Sequence, residues 1–180
     1  MPSYYEYLIS SLPALSFGAR PPMSLEGLVA VCENMVSDND MRALKAIKDG
    51  SLYSGAAFHN GALKKWLAFD IMLKNEIVAI RAARKKIDPS KFFRPDGHPS
   101  SYRASHIAIN AYRAASPLET EKMLDLERWQ ELDDMNFGHY FDADALMIYA
   151  LKLAILQKWE TINLADRSVL LEKVLGAATL

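Results

Sequence analysis

The sequence predicts an all-α fold, with residues 1–180 forming a single helical domain of about six or seven helices. Hydrophobic residues make up 51% of the 180 positions, enough for one continuous core. Only 8 Gly and 8 Pro interrupt a chain rich in helix-forming residues. Apolar residues recur at helical spacing along most of the chain, and only Tyr4–Ser10 shows a possible strand alternation.

Residues 1–23 predict a partly extended segment that lies across the helical core. The stretch is apolar and aromatic, but Pro13, Gly18 and Pro21-Pro22 interrupt it before a helix can start. Residues 1–12 contain no Lys or Arg, which argues against an export signal, and the apolar run is far shorter than the ~20 residues of a membrane span. We expect five of its side chains to face the core: Tyr5, Leu8, Leu12, Leu15 and Phe17.

The next two helices are predicted from their start signals. Ser24 is a suitable N-cap for a helix over residues 25–36, and it is followed by Glu26 in the first turn. Ser37 and Asp40 form a Ser-x-x-Asp start for a second helix, which the turn at residues 49–54 ends. The lone Cys32 can form no internal disulfide and is interpreted as a small core residue.

Residues 60–87 predict the longest helix and the centre of the fold. Its first apolar stripe is joined by a second one, so the helix is expected to lie between others and to extend ~40 Å. Asp88-Pro89 ends it, and residues 88–100 form a long loop, for which we favour an anchoring role of Phe92 and Phe93 on the core. The main stripe consists of Leu63, Trp66, Leu73, Ile77 and Ile80.

The remaining helices are predicted over residues 101–115, 117–137, 143–162 and 166–175. Ser116, Pro117 and Glu119 combine an N-cap, a proline at the first helical position and a capping-box acid, which makes them the strongest local signal. Gly138 breaks the chain before the next helix, and Gly176 is expected to close the last one.

Residue patterns that carry chemistry are scarce. The sequence has no glycine-rich phosphate loop, no His-Glu-x-x-His and no pair of cysteines, so we predict no cofactor, no metal site and no catalytic residue. The most enzyme-like cluster is His139, Asp142 and Asp144, which could share a proton or hold a divalent ion. The simpler interpretation makes Asp142 a helix cap and places Asp144 in the first turn of the same helix.

Charge is unevenly distributed along the chain. Residues 81–94 carry six basic residues and one acid, whereas residues 119–144 carry nine acids and two basic residues. Such regions either dock partners or are solvated faces that neutralise one another within the fold. The net charge of −1 argues against a nucleic-acid binder. The candidate protein-interface residues are Arg81, Arg84, Lys85, Lys86, Lys91, Arg94, Glu127, Glu131 and Asp134.

Three stretches carry a resemblance that spans nearly the whole chain. These are "YYEYLISSLPALSFGARPPMSLEGL", "WLAFDIMLKNEIVAIRAAR" and "LDLERWQELDDMNFGHYFDADALMIYALKLAILQKWE". They resemble an uncharacterised bacterial family that is encoded beside the subunits of V-type ATPases. The resemblance implies a cytoplasmic protein, peripheral to the inner membrane through that complex, whose partners are other ATPase subunits. It implies no enzymatic activity for this chain on its own.

A more distant resemblance concerns Asn75 and Arg81. Their apolar helix is similar to one in the C/d family of V-type ATPase subunits, which is all-helical and joins the central stalk to the membrane ring. The resemblance implies a short counterpart of that coupling component. Two alternatives remain: a soluble assembly or regulatory factor of the same complex, and a small helical enzyme that uses His139, Asp142 and Asp144.

Overall fold

The protein is described by a computed structural model, which covers residues 4–54, 58–94 and 102–178 and the side chains up to residue 165. In these ranges the chain contains helices, two short 3-10 turns at Ser51–Tyr53 and Pro89–Phe92, and no strand. The all-α prediction is therefore confirmed. The seven helices are α1 (Tyr5–Ser11), α2 (Leu25–Cys32), α3 (Asp38–Lys48), α4 (Gly61–Lys85), α5 (Tyr102–Tyr112), α6 (Pro117–Met135) and α7 (Ala143–Ala178).

Helices α4 and α7 form the centre of the bundle. The predicted stripe of α4 is confirmed, since Leu63, Trp66 and Leu73 are buried. Helix α7 contributes the densest part of the core, because its side chains are enclosed by α1, α2, α3, α4 and α6. Its fully buried residues include Leu146, Met147, Ile148, Leu153 and Leu156.

The first turns of α4 and α7 are joined at one end of the bundle. The Ala62 backbone N–H donates to Asp144 Oδ1 over 3.1 Å. Helix α6 ends at Met135, just before the short loop that leads into α7, so it runs antiparallel to both. The last turn of α4 therefore lies at the opposite end, ~37 Å away for a 25-residue helix.

The N-terminal segment begins with a helix, so the strand alternation considered for Tyr4–Ser10 is wrong. Tyr5, Leu8, Ile9 and Leu12 follow the helical spacing i, i+3, i+4, i+7, which explains why this stretch forms α1. Residues 12–24 then run without a helix across the bundle. The predicted inward packing is confirmed, because Leu8 is fully buried and the other four residues contact the core.

The predicted serine caps form as expected. Ser24, Ser37 and Ser116 accept hydrogen bonds from the third residue of their helices over 2.9 to 3.2 Å. The Glu119 carboxylate reaches back past the cap and accepts from the Ala115 backbone N–H at 3.1 Å, one residue before the N–H that a capping box would bind. Helix α2 stops at Cys32, four residues before the predicted end, and Asn34 then adopts a left-handed conformation with φ of 64°.

The two helices predicted at the C-terminal end of the chain form one. Helix α7 continues from Ala143 through Asp166 to Ala178, so the separate helix over residues 166–175 is wrong, and Gly176 lies within α7. Residues 162–166 contain neither Gly nor Pro, and an acid such as Asp166 is tolerated inside a helix when no breaker precedes it.

Candidate functional site

Two aspartates are almost fully buried in the middle of the bundle. Asp70 on α4 and Asp125 on α6 each retain 2% of their exposed area. A buried charge is tolerated only when it is paired and hydrogen-bonded, so the surrounding residues determine whether this region is structural or reactive. We call the group the charge cluster; it consists of Tyr53, Asp70, Lys74, Glu121, Asp125, Arg128, Lys158 and Trp159.

Arg128 joins the two aspartates. Its Nε donates to Asp70 Oδ1 over 2.9 Å, and its Nη1 donates to Asp125 Oδ1 over 2.8 Å. Because Asp70 belongs to α4 whereas Arg128 and Asp125 belong to α6, this guanidinium links two helices through charge-assisted hydrogen bonds. The side chain of Arg128 is only 11% exposed, so water screens these bonds weakly.

Helix α7 is attached to the same cluster. Lys158 Nζ donates to Asp125 Oδ2 over 2.7 Å, and it also donates to Glu121. Trp159 Nε1 donates to the same Asp125 oxygen over 2.9 Å. Asp125 therefore receives bonds from three side chains, two of which belong to α7.

The second carboxylate oxygen of Asp70, Oδ2, is bound by Lys74 and Tyr53. Lys74 Nζ lies 2.5 Å from Asp70 Oδ2, and the Tyr53 hydroxyl donates to the same atom. Burial raises the pKa of the Tyr53 hydroxyl, and the Asp70 charge raises it further. The tyrosine therefore stays protonated and acts as a donor.

Electrostatics keep Asp70 and Glu121 ionised. Burial alone would raise the pKa of Asp70, but the charges of Arg128 and Lys74 outweigh it, and the pKa lies below its ordinary value. Burial would likewise raise the pKa of Glu121, which Lys158 and Arg128 lower overall. Both carboxylates are bound by cations of other residues, so the arrangement suits the joining of helices better than proton transfer.

Sequence patterns underestimate this region. The i, i+4 spacing of Asp70 and Lys74 by itself predicts only a weak pair on the helix surface. A usable signal is present, because Asp70 follows Leu63 and Trp66 at core-facing positions i, i+3 and i+7 of α4. An acid inside an apolar stripe needs a cation from another helix, but no pattern identifies which one.

The structure brings His139, Asp142 and Asp144 together at the start of α7. His139 Nδ1 lies 2.7 Å from Asp142 Oδ2, and its Nε2 lies 3.8 Å from Asp144 Oδ2. Asp142 Oδ1 accepts from the Ala145 backbone N–H over 2.8 Å, which confirms its predicted capping role. Burial would raise the pKa of Asp142, but this backbone bond and His139 lower it overall.

Both carboxylates of this group therefore serve helix termini. Asp144 caps α4 as well as lying in the first turn of α7, through its bond from Ala62. Among the residues whose side chains are described, no three His, Cys, Asp or Glu are placed to hold a metal ion. The geometry explains the three residues as a junction between α4 and α7.

The acidic residues of α6 are largely neutralised within the bundle. Glu131 and Asp134, two predicted interface residues, face Arg103 of α5 at 2.8 and 3.4 Å. Burial raises the pKa of Glu131 despite this arginine. Asp133 pairs with Lys152 of α7. The ion pairs of the α6 acids come from α5, α6 and α7, and Arg81 of the basic stretch also lowers the pKa of Glu121.

The basic stretch is exposed and contains one acid, Asp88. Arg81, Arg84, Lys85, Lys86, Lys91 and Arg94 are all exposed, and none forms an ion pair with a residue whose side chain the structure describes. Two of them rest on aromatic rings, Arg84 at 4.0 Å from the centre of Tyr112 and Arg94 at 5.0 Å from Tyr53. Docking and partial neutralisation therefore both stay predictions for the basic stretch, since Arg81 acts on Glu121 of α6.

Asn75 fixes the course of the segment after α4. Its Oδ1 accepts from the Arg94 backbone N–H over 2.9 Å, and its Nδ2 donates to the Arg94 carbonyl over 3.3 Å. The chain therefore folds back along α4 between residues 86 and 94. Residues 95–100 of the predicted loop lie outside the described ranges.

The predicted anchoring of Phe92 and Phe93 on the core is wrong. They are 57% and 42% exposed, and the neighbouring Ile87 is 45% exposed. The two bonds from Asn75 hold the returning chain against α4 through its backbone, so these rings need not turn inward. We call Arg84–Lys86, Ile87 and Lys91–Phe93 together the basic end.

A second exposed surface lies at the other end of the bundle. The loop between α6 and α7 carries Phe137, Tyr140 and Phe141, which are 89%, 69% and 54% exposed. Gly138 turns this loop with a φ of 87°, a conformation that disfavours other residues. From the sequence, this loop is predicted only to be a linker. We call these three residues the aromatic loop.

Comparison with known proteins gives a partial match to a family model. The model of a family described as "Protein of unknown function (DUF2764)" matches residues 106–175. The matched segment includes the aromatic loop and the part of the charge cluster on α6 and α7, whereas Asp70 and the basic end lie before it. No curated protein and no solved structure matches the chain. In the described residues, no helix is long and apolar enough to cross a membrane.

Proposed function

We propose that the protein is a non-catalytic structural subunit associated with a V-type rotary ATPase, in which it couples neighbouring parts of the complex. The observation that carries this proposal is a pair of exposed surfaces at opposite ends of a bundle whose helices are joined by buried charges. The resemblance to proteins encoded beside V-type ATPase subunits supplies the identity of the complex.

A coupling subunit must transmit force without deforming. The charge cluster supports this requirement, because Arg128 and Lys158 connect α4, α6 and α7 through bonds to two buried aspartates. Breaking such a connection is costly, since a charge would be left buried without its partner. Hydrolysis and ion transport would then belong to the partner subunits.

The aromatic loop is the contact that we assign to a partner subunit. Phe and Tyr are enriched in the cores of protein interfaces, where they fill pockets of the partner. Asp133 and Asp134 are exposed beside the loop, and each is paired with a cation of a neighbouring helix, so we assign this contact to the aromatic rings. The basic end supplies the second contact, with a negatively charged neighbour.

The proposal is tested by affinity capture with the tagged full chain from detergent-solubilised native membranes. We expect V-type ATPase subunits to be recovered in stoichiometric amount. The variant Phe137→Ser/Tyr140→Ser should lose at least about tenfold in recovery, because interface aromatics contribute about 2 kcal/mol or more when central. The matched control is Tyr7→Ser/Tyr102→Ser, whose side chains have the same exposures of 69% and 89%.

The outcomes separate the alternatives. Absence of ATPase subunits from the capture would contradict the proposal. Recovery in substoichiometric amount, lost during gentle washing, would favour a transient assembly or regulatory factor. Equal recovery with both aromatic variants would remove the aromatic loop from the interface.

A further inference from the structure

We propose that the basic end docks onto the surface of an anionic lipid bilayer. This inference deepens the second contact of the proposed function and rests on that contact being made by the basic end. It names the neighbour as lipid headgroups rather than another protein. Charge, exposed apolar surface and backbone conformation at the end of α4 each support it.

The basic end carries a net positive charge. Asp88 is the only acid among residues 81–94, and its two oxygens accept from the backbone N–H and the hydroxyl of Ser90 at 3.0 and 2.5 Å. This bonding turns the carboxylate toward its own turn. The chain as a whole carries a charge of −1, so attraction to an anionic surface must come from this end and not from net charge.

The apolar residues lie among the cations. Ile87 directly follows Lys86, and Phe92 and Phe93 directly follow Lys91. Bilayer interfaces favour this combination, because aromatic rings insert at headgroup level while lysines reach the phosphates. Either signal alone gives weak membrane binding, whereas the two together give stable docking.

Lysine content distinguishes a lipid neighbour from an acidic protein. Three of the four cations of the basic end are Lys85, Lys86 and Lys91. Protein interfaces are depleted in lysine and enriched in arginine, since the guanidinium forms fixed bidentate bonds. A lysine ammonium is a mobile point charge, which suits a fluid layer of headgroups.

Lys86 also occupies a conformation that glycine would adopt at lower cost. Its φ is 52°, and the bonds from Ile87 N–H to the Ala82 carbonyl and from Lys86 N–H to the Ala83 carbonyl form a Schellman motif. Helices usually place glycine at this position. A strained residue of this kind is a hint of function, and here it projects a cation beyond the last turn of α4.

The test is sedimentation of the purified full chain with vesicles of phosphatidylcholine, with and without phosphatidylglycerol. We expect binding only when phosphatidylglycerol is present, and a decrease with added salt. Arg84→Glu/Lys85→Glu/Lys86→Glu should lower the partition coefficient about a hundredfold, since each surface cation contributes about a factor of five. Phe92→Ser/Phe93→Ser should lower it about tenfold.

A matched control variant separates the effect of the position of the altered cations from the effect of the net charge of the protein. Lys45→Glu/Lys64→Glu/Lys65→Glu makes the same change of net charge at exposed lysines of α3 and the first turns of α4. We expect this variant to keep vesicle binding within about threefold, because the altered residues are more than a Debye length from the basic end. Circular dichroism of each variant confirms that it is folded.

Several results would overturn the inference. One is equal loss of vesicle binding in the control and in the basic-end variant. Another is unchanged vesicle binding in the basic-end variant when its capture of detergent-solubilised ATPase subunits is abolished, which would assign the surface to an acidic protein. Vesicle binding that follows the expected pattern without any capture of ATPase subunits would leave this inference standing and reject the proposed function.

Discussion

Replacing Arg128 with methionine should be among the most destabilising single changes in this protein. The substitution keeps a long apolar stem but removes the guanidinium that bonds Asp70 and Asp125 at 2.9 and 2.8 Å. Both carboxylates are 2% exposed, so water cannot replace the lost donors. Removing one partner of a buried pair costs about 3–5 kcal/mol.

The cations that remain in the Arg128→Met variant determine where in this range its loss of stability should fall. Lys74 still bonds Asp70, and Lys158 still bonds Asp125. We therefore expect a loss of about 3 kcal/mol in the free energy of unfolding, at the low end of the range. Urea denaturation followed by far-UV circular dichroism measures this loss, provided that the m-value is unchanged.

Two companion variants make the result interpretable. Arg103→Met removes an arginine that is 51% exposed, so it should cost no more than about 1 kcal/mol. Combining Arg128→Met with Asp70→Asn should recover about 1–3 kcal/mol of coupling energy, because the aspartate is no longer charged. A loss below about 1 kcal/mol for Arg128→Met, equal to that of Arg103→Met, would refute the view that the charge cluster joins the helices.

Three further predictions concern stability. Ser116→Ala should cost about 1 kcal/mol in urea denaturation, since the serine hydroxyl caps α6 by accepting from Glu119 N–H at 3.1 Å. Because the pKa of Asp70 is lowered by folding, its contribution is complete above about pH 4 and is lost as the pH falls through the folded-state pKa. Melting temperatures between about pH 5 and pH 2 should therefore fall less steeply for Asp70→Asn than for the native protein. Lys86→Gly should raise the free energy of unfolding by about 0.5–1 kcal/mol, since glycine tolerates the positive φ; a lower stability would show that the lysine is not strained.

Much of the fold followed from local sequence signals. Ser24, Ser37 and Ser116 each cap a helix by accepting from a backbone N–H three residues later. Because this bond is local, these helix starts were predicted correctly. The stripe of Leu63, Trp66 and Leu73 identified the central helix for the same reason. The helix Tyr5–Ser11 was missed because a short apolar stretch fits strand and helix spacing almost equally well.

The functional surfaces depended on contacts that local patterns do not contain. The partner of Asp70 is Arg128, 58 positions away, and nothing in either neighbourhood specifies the other. Counts of charge likewise left open whether the two charged regions dock partners or neutralise each other, and no count specifies that Glu131 pairs with Arg103. Exposure of Phe92 and Phe93 was also missed, since periodicity predicts burial only within a helix or strand.

The central claim is that buried charges keep the bundle rigid, while the aromatic loop binds a partner subunit and the basic end binds the membrane surface. Photo-crosslinking in intact cells tests it most directly, with a photoreactive residue introduced at Tyr140 in one strain and at Lys86 in another. We predict that the Tyr140 position forms adducts with a subunit of the V-type ATPase and that the Lys86 position forms adducts with phospholipid. Adducts at neither position, beside efficient adducts from Lys45 on α3, would contradict this claim.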